Sequence, residues 1–243
     1  ASFITPILAS WCAVKFGNWM LIYPVFGAFS ILAVCYLWSS KIEEGAPANG
    51  GSDLLDCIKM LGDPTVLILF LGIVSHVGID VGVNTCAPKI IIERLGLPLS
   101  EAAIATSVYF LFRTLGCLSG SYILSKVQTR KFFAFSVALM VLSMIGLFLM
   151  HSLAGLYIAI ALVGFGNSNI FSMVFSKALL SRPDKENEMS GLMIMGLIGG
   201  TVFPILMGVA SDAMETQLGS VIVISAGVIY LAILAVKFLK SAE

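Results

Sequence analysis

TVLILFLGIVSHVGIDVGVNTCAPKIII, residues 65–92, decides how the rest of the chain is read. About 20 largely apolar residues carry a helix across the hydrocarbon core of a bilayer, and before Lys89 only Asp80 brings a full charge into this run. His76, Asp80 and Asn84 follow one another at intervals of four, which stacks them on a single helical stripe. Gly72, Gly78 and Gly82 mark places where the helix bends or lets a neighbour approach. Ionisable groups inside a span are costly, so each is a functional candidate by default. Asp80 either pairs to hold two helices together or lines a polar cavity, and the stripe favours the cavity. For His76 the two readings stay level, because one backbone carbonyl satisfies a neutral imidazole.

Composition extends that reading to the whole chain. Of 243 residues, 58% are hydrophobic and 12% charged, with a mean hydropathy of +1.00, far more apolar surface than a soluble core of this length needs. Division at the clusters of charge, Gly and Pro predicts eight spans, over residues 1–14, 19–38, 65–92, 100–124, 132–150, 153–177, 189–211 and 219–239. All are read as helices, since they are too long and too uniformly apolar for barrel strands. The first is short and begins at Ala1 without a positive leader, which predicts a piece cut from within a longer chain. Trp11, Trp19 and Trp38 fall near span ends, where an indole sits at the interface or packs against lipid.

Lys41, Lys59, Lys126, Arg130, Lys131, Lys177, Arg182, Lys185, Lys237 and Lys240 fall on one set of loops, against Lys15, Lys89 and Arg94 on the other. The richer side is expected in the cytoplasm, with both chain ends on it. The segment 39–63, which contains Gly45-Ala46-Pro47-Ala48-Asn49-Gly50-Gly51 flanked by acids, reads as a flexible cytoplasmic linker. It divides the last two helices of one half (1–38) from a six-helix half (64–243). The net charge of zero and the absence of a basic face argue against nucleic acid. No cysteine pair has metal-ligand spacing, and neither a cofactor nor a metal is expected.

Arg113 lies about halfway along the fourth span, at a depth like that of Asp80. An unpaired guanidinium there is strongly unfavourable, which predicts an ion pair or a shared polar site with Asp80. Tyr109, one turn earlier, either supplies an aromatic platform for the apolar face of a sugar or packs in the core. In the sixth span Gly164, Gly166, Asn167, Ser168 and Asn169 form a polar patch, able to bind a neutral polyol or to tie helices together. Gly196, Gly199, Gly200 and Pro204 predict a kinked, closely packed seventh span. Pro6-Ile7-Leu8 recurs as Pro204-Ile205-Leu206 after about two hundred residues, the spacing of a tandem six-plus-six carrier, and both prolines are read as kink points.

The stretch from Ser172 to Ala213, with Ser190-Gly191-Leu192-Met193-Ile194-Met195-Gly196, Ile198-Gly199-Gly200, Pro204 and Gly208 to Asp212, resembles the tenth and eleventh helices of the fucose permease and glucose/galactose transporter family, within the major facilitator superfamily. His76-Val77-Gly78-Ile79-Asp80-Val81-Gly82 is similar to that family's seventh helix, where Glu commonly takes the place of Asp80. Arg113 falls where the family's eighth helix carries Gly-Arg, with Phe112 here in place of the Gly. Ser125-Lys126-Val127-Gln128-Thr129-Arg130-Lys131 is similar to the superfamily's cytoplasmic loop between helices eight and nine, without its Asp and Gly.

The resemblance implies an all-α, partial facilitator fold equivalent to helices five to twelve. It implies a sugar:proton symporter of the bacterial inner membrane, monomeric when whole, that works by alternating access in lipid. The family's proton-coupling acids belong to helices one and four and have no counterpart here. Within this frame His76, Asp80, Asn84, Tyr109, Arg113, Asn167 and Asn169 are expected to line the cavity. Lys126, Arg130, Lys131 and Asp212 are expected at the cytoplasmic gate. The alternatives are a facilitator for another small solute, a drug exporter, or an intramembrane enzyme. The enzyme lacks a second intramembrane Asp, a His-Glu-x-x-His pair and a nucleophile turn.

Overall fold

Asp63 sets the start of the longest helix. Its Oδ1 accepts a hydrogen bond from the Thr65 amide at 2.8 Å, and Pro64, which has no amide hydrogen to leave unsatisfied, takes the first helical position. The computed structural model describes residues 12, 15–39 and 54–240. They are almost wholly helical, without a strand among the described residues. The chain forms two compact units, residues 1–51 and 52–243.

In the first unit α1 (Ile22–Ser39) follows a short 3₁₀ turn at Trp19–Leu21. Apart from Ile22, which is buried, and Phe26, which is half-buried, its apolar side chains, Phe29, Ile31, Leu32 and Trp38 among them, are exposed, as suits lipid rather than water. Of the span expected at 1–14 only Cys12, which is buried, is described, and its kink point Pro6 and residues 40–53 lie outside the described residues.

The second unit begins earlier than the reading of 39–63 as linker anticipates. Helix α2 (Leu54–Lys59) and a 3₁₀ turn at Met60–Gly62 are folded, with Cys57 and Met60 buried. The Gly- and Pro-rich stretch behind that reading ends at Gly51. Beyond it α2 packs against α9 (Glu186–Met195), with Cys57 beside Gly191, and the 3₁₀ turn packs on the long helix that follows.

The remaining elements are α3 (Pro64–Leu95), the single turn α4 (Leu99–Ala102), α5 (Ile104–Lys126), α6 (Thr129–Leu149), α7 (Leu153–Asn167), α8 (Ile170–Ser181), α10 (Gly199–Met214) and α11 (Leu218–Lys240). At about 1.5 Å per residue the 32 residues of α3 reach about 48 Å, so it outruns the hydrocarbon core and tilts or protrudes. Gly96, at φ 65°, closes α3 in the left-handed conformation that glycine tolerates.

Among the described residues six helical stretches are long and apolar enough to cross a membrane: Ile22–Ser39, Pro64–Leu95, Thr129–Leu149, Leu153–Ser181, Pro183–Met214 and Leu218–Phe238. They match six of the eight expected spans to within a few residues at most ends. The fourth, α5, is 23 residues long but is diluted by Arg113 and by hydroxyls such as Thr106, Ser107 and Ser119.

Helix α3 runs through the middle of the second unit and packs on α5, α7, α8, α10 and α11, while α6 closes against α7 and α11. Small residues permit this. A Cβ on Gly199 would lie 2.0 Å from the Val74 carbonyl oxygen, so only glycine lets α10 approach α3 there. The helix runs unbroken through Pro204, and the departure from α geometry is the 3₁₀ turn Gly196–Ile198 just ahead of Gly199.

Candidate functional site

Five side chains from three helices join in one chain of hydrogen bonds. Asp80 on α3 faces Arg113 on α5, with Oδ2 and Nη1 3.0 Å apart. Tyr109, one turn before Arg113, donates its phenol hydrogen to the other carboxylate oxygen of Asp80. Asn167, the last residue of α7, donates to the Tyr109 oxygen at 3.5 Å. Its own amide oxygen stands 2.8 Å from His76 Nδ1. An amide oxygen only accepts, so this contact requires a hydrogen on His76 Nδ1.

The local sequence explains the meeting. The interval of four between His76 and Asp80 puts both on the same side of α3. Gly164 lets α7 come against α5 at the level of Tyr109, since a Cβ there would sit 2.6 Å from the Tyr109 carbonyl oxygen. Asn167 is then carried to the junction by the end of its helix.

The chain has a sealed back and an open front. Tyr109 and Asn167 are 0% exposed and His76 2%, whereas the side chains of Asp80 and Arg113 keep 18% and 30% of their surface. In the sealed part the hydrogen bonds are complete, as buried polar atoms require. In the open part a carboxylate and a guanidinium stand together, one accepting and the other donating. Asn84, one turn beyond Asp80 on the same stripe, is half-buried and makes no hydrogen bond among the described residues. The front therefore offers unused donors and acceptors, and the back holds them in place.

Two expectations change in this light. Tyr109 is no aromatic platform, because its ring is enclosed and its hydroxyl is committed to Asp80. An aromatic surface beside His76 belongs to α8. Phe171 lies 6.0 Å from the His76 ring and stacks on Phe175 at 5.5 Å, with an interplanar angle of 20°. Both rings are half-buried. Phe171 follows Asn167 by four residues, across the break between α7 and α8. The second change is Asn169, which is buried away from the pair. It donates to the Gly116 carbonyl and to Ser168 Oγ, each at 2.8 Å, and so ties α8 to α5.

The residues expected at the cytoplasmic gate divide between opposite ends of the bundle. Lys126, Arg130 and Lys131 flank the tight turn between α5 and α6, at the end where Arg182 meets Asp63. Lys126 Nζ lies 4.8 Å from the centre of the Tyr122 ring, and Arg130 donates to Gln128 Oε1 at 3.0 Å. Asp212 is at the other end. Helix α10 finishes beside the C-terminal end of α3, where Glu93 accepts from Thr216 and, at 2.7 Å, from the Gln217 amide. Asp212 lines a small polar cleft there with Lys89 and Ser211. A helix that leaves the cation-rich end at residue 183 has crossed by residue 212, so Asp212 takes no part in the basic loop.

Of the groups outside the spans, Asp63 and Arg182 alter each other's ionisation most plainly. The Arg182 hydrogen bond, and after it the Thr65 amide, holds the Asp63 carboxyl below its usual range. Asp63 in turn raises the guanidinium.

The chain resembles known proteins along most of its length. A Helicobacter pylori (strain J99) protein named, provisionally, a glucose/galactose transporter is 29% identical over 142 residues, 58% of this chain and 35% of that protein. The glucose/galactose transporter of Brucella abortus is 26% identical over 202 residues, 79% of this chain and 46% of that protein. This chain thus spans between about a third and a half of the length of the curated relatives it matches. Among solved structures, the transporter FucP in its outward conformation superposes with a TM-score of 0.76 at 18% identity, over 90% of this chain and 54% of that one. That likeness shows the fold. The family model described as Major Facilitator Superfamily matches residues 1–195, and with these helices, spans and relatives in place the chain belongs to that superfamily of multi-span membrane transporters.

Proposed function

We propose that the carrier built on these helices takes up a monosaccharide of the glucose, galactose or fucose type by alternating access, driven by the proton gradient across the bacterial inner membrane. The observation that carries the reading is the half-exposed Asp80–Arg113 pair, held from behind by Tyr109 and Asn167. A sugar presents neighbouring hydroxyls that both donate and accept, and a carboxylate beside a guanidinium matches them without requiring charge on the solute. The free amide of Asn84 adds a further donor and acceptor one turn away. Phe171 supplies a ring for the C–H face of the sugar. The names of the Helicobacter and Brucella relatives point to the same solutes.

The proton enters through the family resemblance, whose coupling acids lie on helices outside this half. The cation-rich ends of α3, α5 and α8 face the cytoplasm in this reading, as the positive-inside rule places them, and the carrier acts as a monomer. Rocking of one half against the other would expose the pair to each side in turn.

Uptake of labelled glucose, galactose and fucose by cells producing the carrier, with and without a protonophore, tests the proposal. Accumulation that collapses with the protonophore is the expected result. Failure to move any of the three sugars would overturn the assignment of substrate. Accumulation indifferent to the protonophore would remove the proton.

A further inference from the structure

The cation-rich end of the bundle holds a groove that the site above does not use. It lies between the first turns of α3, helix α8 and the end of α11, and encloses about 280 Å³ of open space. Its floor is Leu69 and Leu234, both 2% exposed, and its walls include the half-buried Ile68 and Phe238. Lys177 and Lys237 stand exposed at its rim. Neither lysine has a carboxylate within ion-pair distance among the described residues.

Two uncompensated ammonium groups over an apolar floor, at the end of membrane-spanning helices, are complementary to an anion that is joined to hydrocarbon. A soluble anion would use the lysines but gain nothing from Leu69, Leu234 or Phe238. A zwitterionic lipid would use the floor and leave the lysines without a net counter-charge. We propose that the groove binds an anionic phospholipid, with its phosphate at Lys177 and Lys237 and the start of an acyl chain on Ile68, Leu69 and Phe238. The bound lipid joins α8 to the α3–α11 pair. The proposal does not depend on what the carrier transports.

Native mass spectrometry of the purified protein, offered phosphatidylglycerol and phosphatidylcholine together, tests it. Phosphatidylglycerol should be retained in preference. Each lysine exchanged in Lys177→Gln/Lys237→Gln should weaken that preference about fivefold, as expected for one cation near an anionic lipid. Lys177→Arg/Lys237→Arg should keep it, and so should Lys126→Gln, whose lysine lies at the same end over Tyr122. If the glutamine pair fails to fold, salt added to the native protein gives the same reading, by releasing phosphatidylglycerol and not phosphatidylcholine. Equal retention of the two lipids would overturn the proposal, as would a glutamine pair that binds undiminished. Displacement by inorganic phosphate as effective as by phosphatidylglycerol would make the groove a soluble-anion site. A dimer that dissociates in the glutamine pair would give the groove to a second copy of the chain.

Discussion

Two helix junctions in the second unit are similarly close and differently made. Where α6 meets α7, a Cβ on Gly146 would stand 2.9 Å from the Ala159 Cβ, and Ser143 Oγ donates to the Ala159 carbonyl at 2.6 Å. Where α5 and α7 meet beside α3, Gly164 gives the same intimacy, yet the junction also carries a carboxylate, a guanidinium, a phenol, an amide and an imidazole. The first junction demonstrates that small residues and one hydroxyl suffice to hold helices together in a bilayer. The polar set at the second is therefore more than packing requires, and its open face accounts for the excess.

The strongest way to break this contrast is Arg113→Gln. It leaves Asp80 without a charged partner at the membrane midplane, where breaking a buried pair costs roughly 3 to 5 kcal/mol and a partly exposed one less. Sugar uptake should fall more than tenfold, and Asp80→Asn/Arg113→Gln should recover expression without recovering uptake. A single variant that transports normally would reduce the pair to helix glue.

Gly164→Ala and Gly146→Ala sharpen the comparison next. Each forces a methyl into a contact below 3.0 Å and should destabilise by about 1 to 3 kcal/mol in thermal melts. Only Gly164→Ala should also lower uptake per folded molecule, since only that change pushes α7 away from Tyr109. Equal losses of transport from both would show that the two junctions serve the same purpose.

Asn167→Leu strips partners from His76 and Tyr109 at once and should cost about 1 to 3 kcal/mol. Ser143→Ala removes a single interhelical bond and should cost about 0.6 kcal/mol. Denaturation in mild detergent ranks the two.

The smallest effect lies outside the membrane. Asn at position 63 can still cap α3 but cannot form the ion pair with Arg182. Because the folded carboxyl titrates below its ordinary 3.8, the pair contributes fully above that value and is lost as pH falls through the depressed one. The melting-temperature deficit of Asp63→Asn should hold from about pH 5 to about pH 8 and close below about pH 4. A deficit that widened on acidification would contradict this sign.

Much of this was legible in the chain, for reasons of period and depth. The interval of four exposes His76, Asp80 and Asn84 as a stripe whatever the neighbours are, and the rise of a helix sets Arg113 opposite Asp80. What stayed hidden depends on which face a neighbour covers. Tyr109 and Phe171 are both aromatic residues near a polar patch, and composition does not say which ring is enclosed. The packing of Gly164 against α5 decides it. Asn167 and Asn169 read alike in sequence, and the break between α7 and α8 turns one toward His76 and Tyr109 and the other toward Gly116. Asp212 is assigned to the gate with the basic loop by resemblance, although the length of its span carries it to the far end.

That break at Ser168 and Asn169 has a mechanical consequence. The membrane crossing Leu153–Ser181 is two rods: α7 leans mainly on α5 and α6, and α8 mainly on α3. The joint between them is bound by the Cys117 thiol donating to the Ser168 carbonyl at 3.4 Å and by the Asn169 amide on Gly116. The crossing is therefore anchored in two places by different means, α7 through Asn167 on Tyr109 and the start of α8 through Asn169 on Gly116, so strain in one rod is not carried straight into the other.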